Sequence, residues 1–211
     1  MGRTENTLRR RREILEAALV CFHGLGYEKT TLADISETAA ASVGSIYHLF
    51  ASKEQLFAAL YLEAIAASQD ATIRALRRTR STEEGVRAFV CSYLRWVSRN
   101  RELAGYLLTM RRAEFMSDAE PELDRLNAAY REALEGWIEE HRADAMLPVI
   151  GVDLFLAILG GPTEDFARRW LVGQATTSLR EGSEVLARAA WLALRGLADE
   201  RVPSKRRARR R

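Results

Sequence analysis

The chain has 211 residues, of which 47% are apolar, enough to bury a substantial core and too many for wholesale disorder. Only four prolines occur, and Ala, Leu, Glu and Arg dominate, a composition typical of an all-α protein. Neither a secretory leader nor an apolar run of about 18 residues is present. These absences argue against secretion and membrane insertion, so we expect a cytoplasmic protein without membrane contact.

Charge is distributed unevenly along the chain. The net charge is +1 over residues 1–53, −5 over residues 54–200 and +7 over residues 201–211. Basic ends attract phosphate-bearing partners, and they also occur as plain solvated tails. Both interpretations stay open for residues 201–211, which are too basic to fold and which we expect to form a disordered tail.

The first predicted helix begins within residues 9–12, four consecutive arginines. Residues 1–8 show no periodicity and are expected to form a flexible arm. Apolar residues recur at helical spacing as far as Leu25. The helix is expected to end at Gly24 and Gly26, because glycine readily adopts the left-handed conformation that closes a helix. The arginines either contact a nucleic-acid backbone or are simply solvated.

The second predicted helix, residues 32–39, repeats apolar residues at i, i+3 and i+7. Thr30 or Thr31 is its expected N-cap, and Asp34 near the third helical position favours the positive end of the helix dipole. A helix start with free N–H groups and a hydroxyl is also a phosphate site. Capping and phosphate binding can therefore coexist at one threonine.

The third predicted helix, within residues 43–50, has two unlike sides. The apolar side consists of Val43, Ile46 and Phe50. The opposite side is polar or small and consists of Gly44, Ser45 and His48. A short turn of small residues at 40–42 joins this helix to the second. Two short amphipathic helices joined in this way are typical of a helix-turn-helix, whose second helix enters the DNA major groove.

The rest of the chain also has helical periodicity. Further helices are predicted at about residues 53–79, 81–99, 101–111, 120–142 and 183–198. Within residues 147–173, the run Gly160-Gly161-Pro162 predicts a kink or a break, with Pro162 in a new first turn. The sequence therefore predicts an all-α fold of about nine helices.

Residues 13–60 carry a pattern at fixed spacing. It consists of Ile14-Leu15-x-x-Ala18, Phe22-x-x-x-Gly26-Tyr27-x-x-Thr30-Thr31, Ile35, and Val43-Gly44-Ser45-Ile46-Tyr47-His48-x-Phe50-x-Ser52-Lys53-Glu54-x-Leu56. This pattern resembles the DNA-binding domain of the tetracycline-repressor (TetR) family of bacterial regulators. Two positions differ from the family: alanines stand at 39–41, where a glycine is common in the turn, and Ala51 stands where a proline or lysine is common.

The resemblance and the helix geometry together predict the side chains that contact DNA. Ser45 and His48 are expected to contact base edges, and Gly44 permits close approach. The family assigns phosphate contacts to the residues that match Tyr47 and Lys53. The full predicted set is Thr30, Thr31, Ser42, Gly44, Ser45, Tyr47, His48 and Lys53. The alternatives are a purely local turn role for the two serines, plain exposure for His48 and half-buried packing for Tyr47.

The resemblance also implies how the chain is organised. We expect a flexible arm at residues 1–8, a helix-turn-helix domain at 9–53, a larger effector-binding and dimerisation domain at 54–200, and the tail at 201–211. In the family a small effector occupies a pocket between helices, here expected to be mainly apolar. Its expected lining residues are Phe89, Tyr93, Trp96, Tyr106, Met110, Trp137 and Phe155. An aromatic stripe at helical spacing is also common in ordinary cores, which is the alternative for each of them.

By the same resemblance, the last two helices are expected to pair with their copies in a second subunit. The expected interface residues are Phe166, Trp170, Val185, Ala189, Leu192, Ala193 and Gly196. A twofold dimer places two recognition helices roughly 34–36 Å apart, one DNA turn, and would bind a palindromic operator.

No catalytic constellation is present in the sequence. His23, His48 and His141 have no metal-ligand spacing with one another or with Cys21 and Cys91, and phosphate loops and nucleophile elbows are absent. Both cysteines lie on apolar stripes, as buried thiols do. We therefore expect no enzyme activity, no cofactor and no metal. The sequence predicts a ligand-responsive, nucleoid-associated repressor; the alternative is a helical dimer acting in protein interaction or small-molecule sequestration.

Overall fold

A computed structural model of the chain describes residues 3–109, 116, 119–142 and 147–200. These residues form nine α-helices and no strand, which confirms the predicted all-α fold. The helices are α1 (Arg3–Leu25), α2 (Leu32–Thr38), α3 (Val43–Leu49), α4 (Lys53–Leu76), α5 (Thr82–Arg99), α6 (Arg101–Thr109), α7 (Glu120–Glu140), α8 (Val152–Leu171) and α9 (Leu179–Glu200). No described helix combines the length and apolar character needed to cross a bilayer.

The helices belong to two compact units. Unit 1 comprises Met1–Ala67 and Asn100–Asn127, and unit 2 comprises Ser68–Arg99 and Ala128–Arg211. Helices α1, α2, α3 and α6 thus lie in unit 1, and α5, α8 and α9 lie in unit 2, while α4 and α7 begin in the first and end in the second. The predicted boundary between residues 53 and 54 concerns function and stays a prediction.

Helix α1 begins at Arg3, earlier than predicted. Residues 3–8 contain no helix breaker, and adding a turn to an existing helix is much easier than nucleating one, so α1 extends beyond its apolar stripe. Met1 and Gly2 lie outside the described residues. The helix ends as predicted, because Gly26 has a φ of +80° and its N–H donates to the Phe22 carbonyl at 3.0 Å.

Aromatic rings form the centre of the unit 1 core. The Phe57 ring lies 5.2 Å from the Phe22 centroid and 4.7 Å from the Tyr106 centroid. The buried Tyr106 hydroxyl donates to the Phe57 carbonyl at 2.8 Å, and burial raises the pKa of Tyr106 well above its ordinary value. Tyr106 therefore packs α6 into the core of unit 1, whereas Phe89, Tyr93, Trp96, Trp137 and Phe155 belong to unit 2.

Helices α5, α8 and α9 pack together in unit 2. The Phe89 and Phe155 rings meet edge to face at 6.1 Å, and Trp137 lies 6.3 Å from Phe155. The Trp137 ring lies so close to Gly85 that a β-carbon at that position would come within 1.8 Å of it. Only glycine fits at position 85, and its lack of a side chain lets α5 approach the Trp137 ring closely.

Helix α8 is continuous through Pro162, so the predicted break and new first turn are wrong. Buried residues recur at every fourth position on both sides of the proline, and they are Phe155, Leu159, Thr163 and Ala167. Proline removes one backbone donor. The Thr163 hydroxyl donates to the Leu159 carbonyl at 2.5 Å across this point. Packing of this stripe thus outweighs the local cost of Gly160-Gly161-Pro162.

Candidate nucleic-acid interface

Thr31 is the N-cap of α2, and Thr30 is not. The Thr31 hydroxyl accepts the Asp34 N–H at 3.2 Å, and the Asp34 carboxylate accepts the Thr31 N–H at 2.7 Å. Hydrogen bonds from the Thr31 backbone and side chain lower the pKa of Asp34. Thr30 is 1% exposed, and its hydroxyl donates to the Gly26 and Cys21 carbonyls. The Thr30 hydroxyl therefore stabilises the fold from inside the domain. Of the two threonines, only Thr31 has an exposed side chain.

The turn between α2 and α3 contains a left-handed alanine. Ala40 has a φ of +45°, a conformation that costs an L-residue about 1–2 kcal/mol. The turn is held by the Ala41 N–H, which donates to the Ser36 carbonyl at 3.0 Å, and by the Ser36 hydroxyl, which donates back to the Ala41 carbonyl at 2.5 Å. Ala40 is one of the three alanines, 39–41, that stand where a glycine is common in the turn of the TetR pattern.

Helix α3 has one buried and one exposed side. Ile46 and Phe50 are 0% and 4% exposed, whereas Gly44 and His48 are exposed, Tyr47 is 56% exposed and Ser45 is half-buried. Ser42 caps the helix, since its hydroxyl accepts the Ser45 N–H at 3.1 Å. Apart from Val43, the predicted division into two sides therefore matches the exposure of these residues.

Val43 was expected on the buried side but is 38% exposed. It occupies the first position of a seven-residue helix, where the chain is still entering from the turn, so the helical pattern does not carry it into the core. Gly44 has open space around its Cα: an added β-carbon would meet only the Ser42 hydroxyl oxygen, at 3.9 Å. The fold itself does not require glycine at position 44.

Lys53 is held against the loop that precedes α2. Its Nζ donates to the Tyr27 carbonyl at 2.5 Å and lies 4.1 Å from the centroid of the Tyr27 ring. The Tyr27 hydroxyl in turn donates to Glu54 Oε1 at 3.3 Å. A phosphate contact by Lys53 would have to share the ammonium with this carbonyl, and it stays a prediction.

A polar cleft of about 590 Å³ lies between the first turns of α1 and the exposed side of α3, and we call it the α1–α3 cleft. Its polar walls include Asn6, Arg9, Arg10, Ser42, Ser45 and His48. Arg9 Nη2 donates to Asn6 Oδ1 at 3.3 Å. Glu13, which does not line the cleft, lies 3.9 Å from Arg9 and 3.0 Å from Arg10. No carboxylate is among the described lining residues.

A second, larger depression in unit 1, the α1–α4 groove, has a volume of about 1010 Å³. Its floor includes Leu15, Phe50 and Leu62. Its charged lining residues have both signs, and they are Arg11, Arg12, Glu54, Glu63 and Glu122. The Arg11 guanidinium lies 5.2 Å from the centroid of the Phe50 ring. This groove is thus apolar at its base and mixed in charge at its rim.

Sequence reasoning treated the four arginines as one group and overlooked Asn6. The structure divides the group, with Arg9 and Arg10 lining the cleft and Arg11 and Arg12 lining the groove. Positions 6, 9, 10 and 13 follow the i, i+3, i+4, i+7 pattern of one helix face. This pattern is present in the sequence, but it indicates a shared helix face only once α1 is known to begin at Arg3.

Five of the predicted effector residues lie in unit 2 and are buried, and they are Phe89, Tyr93, Trp96, Trp137 and Phe155. Met110 lies outside the described residues. Burial raises the pKa of Tyr130, which is half-buried in unit 2. The Trp137 Nε1–H donates to the Thr79 hydroxyl at 3.3 Å. The aromatic residues therefore form a mainly apolar interior with a few polar groups nearby.

Helix α9 has an exposed apolar stripe opposite its buried face. Trp191 and Leu194 are buried, while Val185 is 61% and Leu192 is 57% exposed. Ala189, Ala193 and Gly196 continue the exposed stripe. Phe166 and Trp170 on α8 are half-buried, and the Phe166 ring lies within 2.2 Å of where a β-carbon on Gly182 would stand. Phe166 therefore already packs against α9 of its own chain.

Neither cysteine is paired in the structure: Cys21 is a buried free thiol, and Cys91 is a half-buried one. Burial raises the pKa of the Cys91 thiol, which disfavours a reactive thiolate. Within the described ranges, no three His, Cys, Asp or Glu side chains are grouped so that they could hold a metal ion.

Residues 14–60 match the family model of bacterial regulatory proteins of the tetR family. This segment of the chain is therefore similar to the DNA-binding domain of the TetR family. The HTH-type transcriptional repressor AcnR from Corynebacterium diphtheriae is 50% identical to it over 54 residues, which are 26% of this chain and 28% of that protein. The chain thus matches less than a third of the length of this relative. The sequence match to the TetR family lies in the N-terminal part, which holds most of α1, the helix-turn-helix of α2 and α3, and the start of α4.

Solved structures resemble the chain over most of its length. A TetR family transcription regulator from Marinobacter aquaeolei VT8 has a TM-score of 0.73 and 22% identity, covering 92% of this chain and 98% of that one. FadR from Bacillus subtilis, solved in complex with stearoyl-CoA, has a TM-score of 0.69 and 16% identity, covering 88% of this chain and 98% of that one. At these identities the likeness shows that the fold is the TetR fold.

Proposed function

We propose that this protein is a transcriptional repressor that binds a palindromic operator as a homodimer and is released by a small, mainly apolar effector. The observation that carries the proposal is the division of α3. Ile46 and Phe50 are buried against unit 1, so the opposite side, with Ser45, Tyr47 and His48, is free to enter a major groove.

On this proposal, Ser45 and His48 contact base edges, because their side chains point away from the buried side of a helix short enough to lie within the groove. Ser42, Gly44 and Tyr47 flank them, and the exposed Tyr47 hydroxyl can donate to a backbone phosphate. The Thr31 hydroxyl donates to Asp34 Oδ2 at 2.7 Å and would have to exchange this bond for one to a phosphate. Lys53 at the start of α4 is a further proposed phosphate contact, in which the phosphate would share its ammonium with the Tyr27 carbonyl. Thr30 is left out of this set because it is buried.

The dimer is supported by the exposed stripe on α9. Residues 185, 189, 192, 193 and 196 recur at helical spacing and include two large aliphatic side chains that are more than half exposed. Small residues among them, Ala189, Ala193 and Gly196, let a second helix approach closely. A twofold pair of chains through this stripe would present two copies of α3 to one face of a duplex.

On this proposal the effector binds in unit 2, among Phe89, Trp137 and Phe155, with Tyr93 and Trp96 as further candidates on α5. Such a lining favours an apolar molecule, and the stearoyl-CoA bound to FadR makes long-chain acyl compounds the first members of a test panel. Helix α4 is continuous from Lys53 in unit 1 to Leu76 in unit 2. An effector that tilts α4 would change the spacing of the two α3 helices and favour the state that does not fit the operator.

The test of DNA binding is selection of sites from a pool of random duplexes with the full-length chain, followed by titration of the enriched duplex. A palindromic motif with half-sites about one helical turn apart is expected, bound about 10³-fold or more tightly than scrambled duplex. The absence of any enriched motif would contradict the proposal and favour protein interaction or sequestration. Titration in the presence of the effector panel tests release, and an affinity unchanged by every member would count against ligand control.

A repressor acts on the chromosome, so the proposal places the protein at the nucleoid. Residues 201–211, with seven basic and no acidic groups, are assigned nonspecific DNA affinity on charge alone, because they lie outside the described residues.

A further inference from the structure

The α1–α3 cleft has a second wall that the helix-turn-helix alone does not provide. Arg9 and Arg10 on the first turns of α1 face Ser42, Ser45 and His48 across it. This wall exists because α1 begins at Arg3 and carries helical geometry through residues 6 to 10.

The chemistry of the cleft favours a small anionic group. Two guanidinium groups, an amide, three hydroxyls and an imidazole line it, and no described lining residue is acidic. Guanidinium groups bind phosphate oxygens in paired geometry, and hydroxyls donate to the same oxygens. The α1–α4 groove receives Arg11 and Arg12 from the same helix but also has three glutamates among its lining residues, whereas Arg9 and Arg10 pair with one carboxylate, Glu13, that lies outside the cleft lining.

We propose that the α1–α3 cleft of each subunit binds one phosphodiester group of the operator backbone, held between Arg9 and Arg10 on one side and the Ser42 hydroxyl on the other. The Ser42 and Ser45 hydroxyl oxygens lie 2.9 Å apart and share one hydrogen, so the second hydrogen is left for Ser42 to donate to the phosphate while Ser45 keeps its base contact. This inference rests on the proposed DNA-binding function and adds α1 to its contact surface. Arg11 and Arg12, identical in type and adjacent in sequence, take no part in this contact.

Asn6 has a positioning role in the same cleft. Its Oδ1 accepts from Arg9 Nη2 at 3.3 Å, whereas Glu13 lies 3.9 Å from the same guanidinium. The amide restrains the Arg9 side chain beside the cleft without adding a negative charge, which a carboxylate at this position would bring. Asn6 therefore acts on DNA through Arg9.

Ethylation interference on the selected operator tests the phosphate contact, with two variants of equal charge. In Arg9→Ala/Arg10→Ala, one phosphate per half-site is expected to lose its interference. The slope of log affinity against log salt is expected to fall by about 1.8 for a dimer that loses two phosphate contacts. Arg11→Ala/Arg12→Ala is expected to retain the full interference pattern. Circular dichroism melting of both variants establishes that each is folded.

The outcomes separate this inference from the function on which it rests. Suppose that wild type binds its selected operator and that interference at the same phosphate is lost in both double variants or in neither. The proposed phosphate contact in the cleft is then wrong, and the proposed regulator function is unaffected. If wild type shows no sequence preference at all, both proposals fall. For Asn6, the test is a double-mutant cycle: Asn6→Ala should weaken operator binding about two- to fivefold in wild type and leave it unchanged in Arg9→Ala. Equal losses in both backgrounds would overturn the positioning role.

Discussion

The α1–α3 cleft and the α1–α4 groove share α1 and differ in almost everything else. The cleft is lined by polar and basic side chains without a described acid, and the groove has an apolar floor with charges of both signs. The groove is also the larger, at about 1010 Å³ against about 590 Å³.

Position on α1, and not residue type, decides which groups each of these arginines contacts. Arg11 lies over the Phe50 ring, where its charge and its methylene groups stabilise the local packing. Arg9 and Arg10 face hydroxyls across open space. Size is a poor guide to function here, because the smaller depression has the more selective chemistry.

The largest expected effect separates the core beneath α3 from the cleft beside it. Ile46→Ala removes a fully buried side chain and should lower the free energy of unfolding by about 2–5 kcal/mol in urea denaturation. His48→Ala, on the exposed side, should change it by less than about 0.5 kcal/mol and yet weaken binding to the selected operator by about tenfold or more. A His48 variant that loses stability instead of affinity would show that α3 is oriented differently from this account.

A negative charge placed in each depression tests the contrast directly. Ser45→Glu puts a carboxylate into the cleft and should weaken operator binding more than about a hundredfold, since like charges in contact cost several kcal/mol. Gln55→Glu puts the same charge at the groove, where carboxylates are already present, and should change affinity less than about threefold. Fluorescence anisotropy at fixed salt measures both. Equal losses would mean that the two depressions are electrostatically alike.

The adjacent threonines provide a smaller test, because only one of them is exposed. Thr31→Ala removes the α2 cap and should cost about 1 kcal/mol of stability and weaken operator binding. Thr30→Val removes a buried hydroxyl, should cost about 0.5–1.5 kcal/mol, and should leave affinity unchanged in the folded protein. Urea denaturation and anisotropy together distinguish them, and loss of affinity in the Thr30 variant alone would reverse the assignment.

The cap also predicts a pH dependence. Because Thr31 lowers the pKa of Asp34 in the folded state, the carboxylate stabilises the fold above its ordinary value of 3.8, and this contribution is lost as the pH falls through the lower folded value. The stability difference between wild type and Thr31→Ala should therefore be constant near neutral pH and shrink below about pH 4. A difference that grows on acidification would exclude this origin.

The smallest expected effect concerns the turn that sets the α3 wall of the cleft. Ala40→Gly relieves the left-handed alanine and, after the entropy cost of glycine, should stabilise unit 1 by about 0.5–1 kcal/mol. Ala39→Gly is the matched control, because Ala39 has a φ of −81° and is not strained. This substitution should lower the free energy of unfolding by about 0.5–1 kcal/mol. Urea midpoints measure the pair, and a destabilised Ala40 variant would mean that the turn is not strained.

Much of this fold could be predicted because the signals are local. The Thr31 cap, the Gly26 terminus and the buried side of α3 at Ile46 and Phe50 each depend on a few adjacent residues. The TetR pattern added the arrangement of these parts. The continuous α8 could not be predicted from the same signals, because its stripe through Thr163 is stabilised by α5 and α9 rather than by its own sequence.

The candidate site was predicted less completely than the fold. Ser45 and His48 follow from helix periodicity, but Asn6 and the division of the arginines depend on where α1 begins, and residues 3–8 have no apolar pattern to show it. Thr30 and Thr31 are chemically identical in sequence, and only the loop geometry after Gly26 buries the first. Tyr106 packs in the core of unit 1 and not in unit 2, a difference that aromatic spacing in the sequence does not reveal.

Glu13 gives the cleft a built-in competitor. Its carboxylate lies 3.0 Å from Arg10 and 3.9 Å from Arg9. A phosphate that binds these arginines must therefore displace the Glu13 carboxylate from them. Such exchange lowers the attraction to any random stretch of polyanion, while contacts to bases are unaffected. The protein would then spend less time on the wrong stretches of chromosome, and Glu13 would sharpen discrimination without itself touching a base.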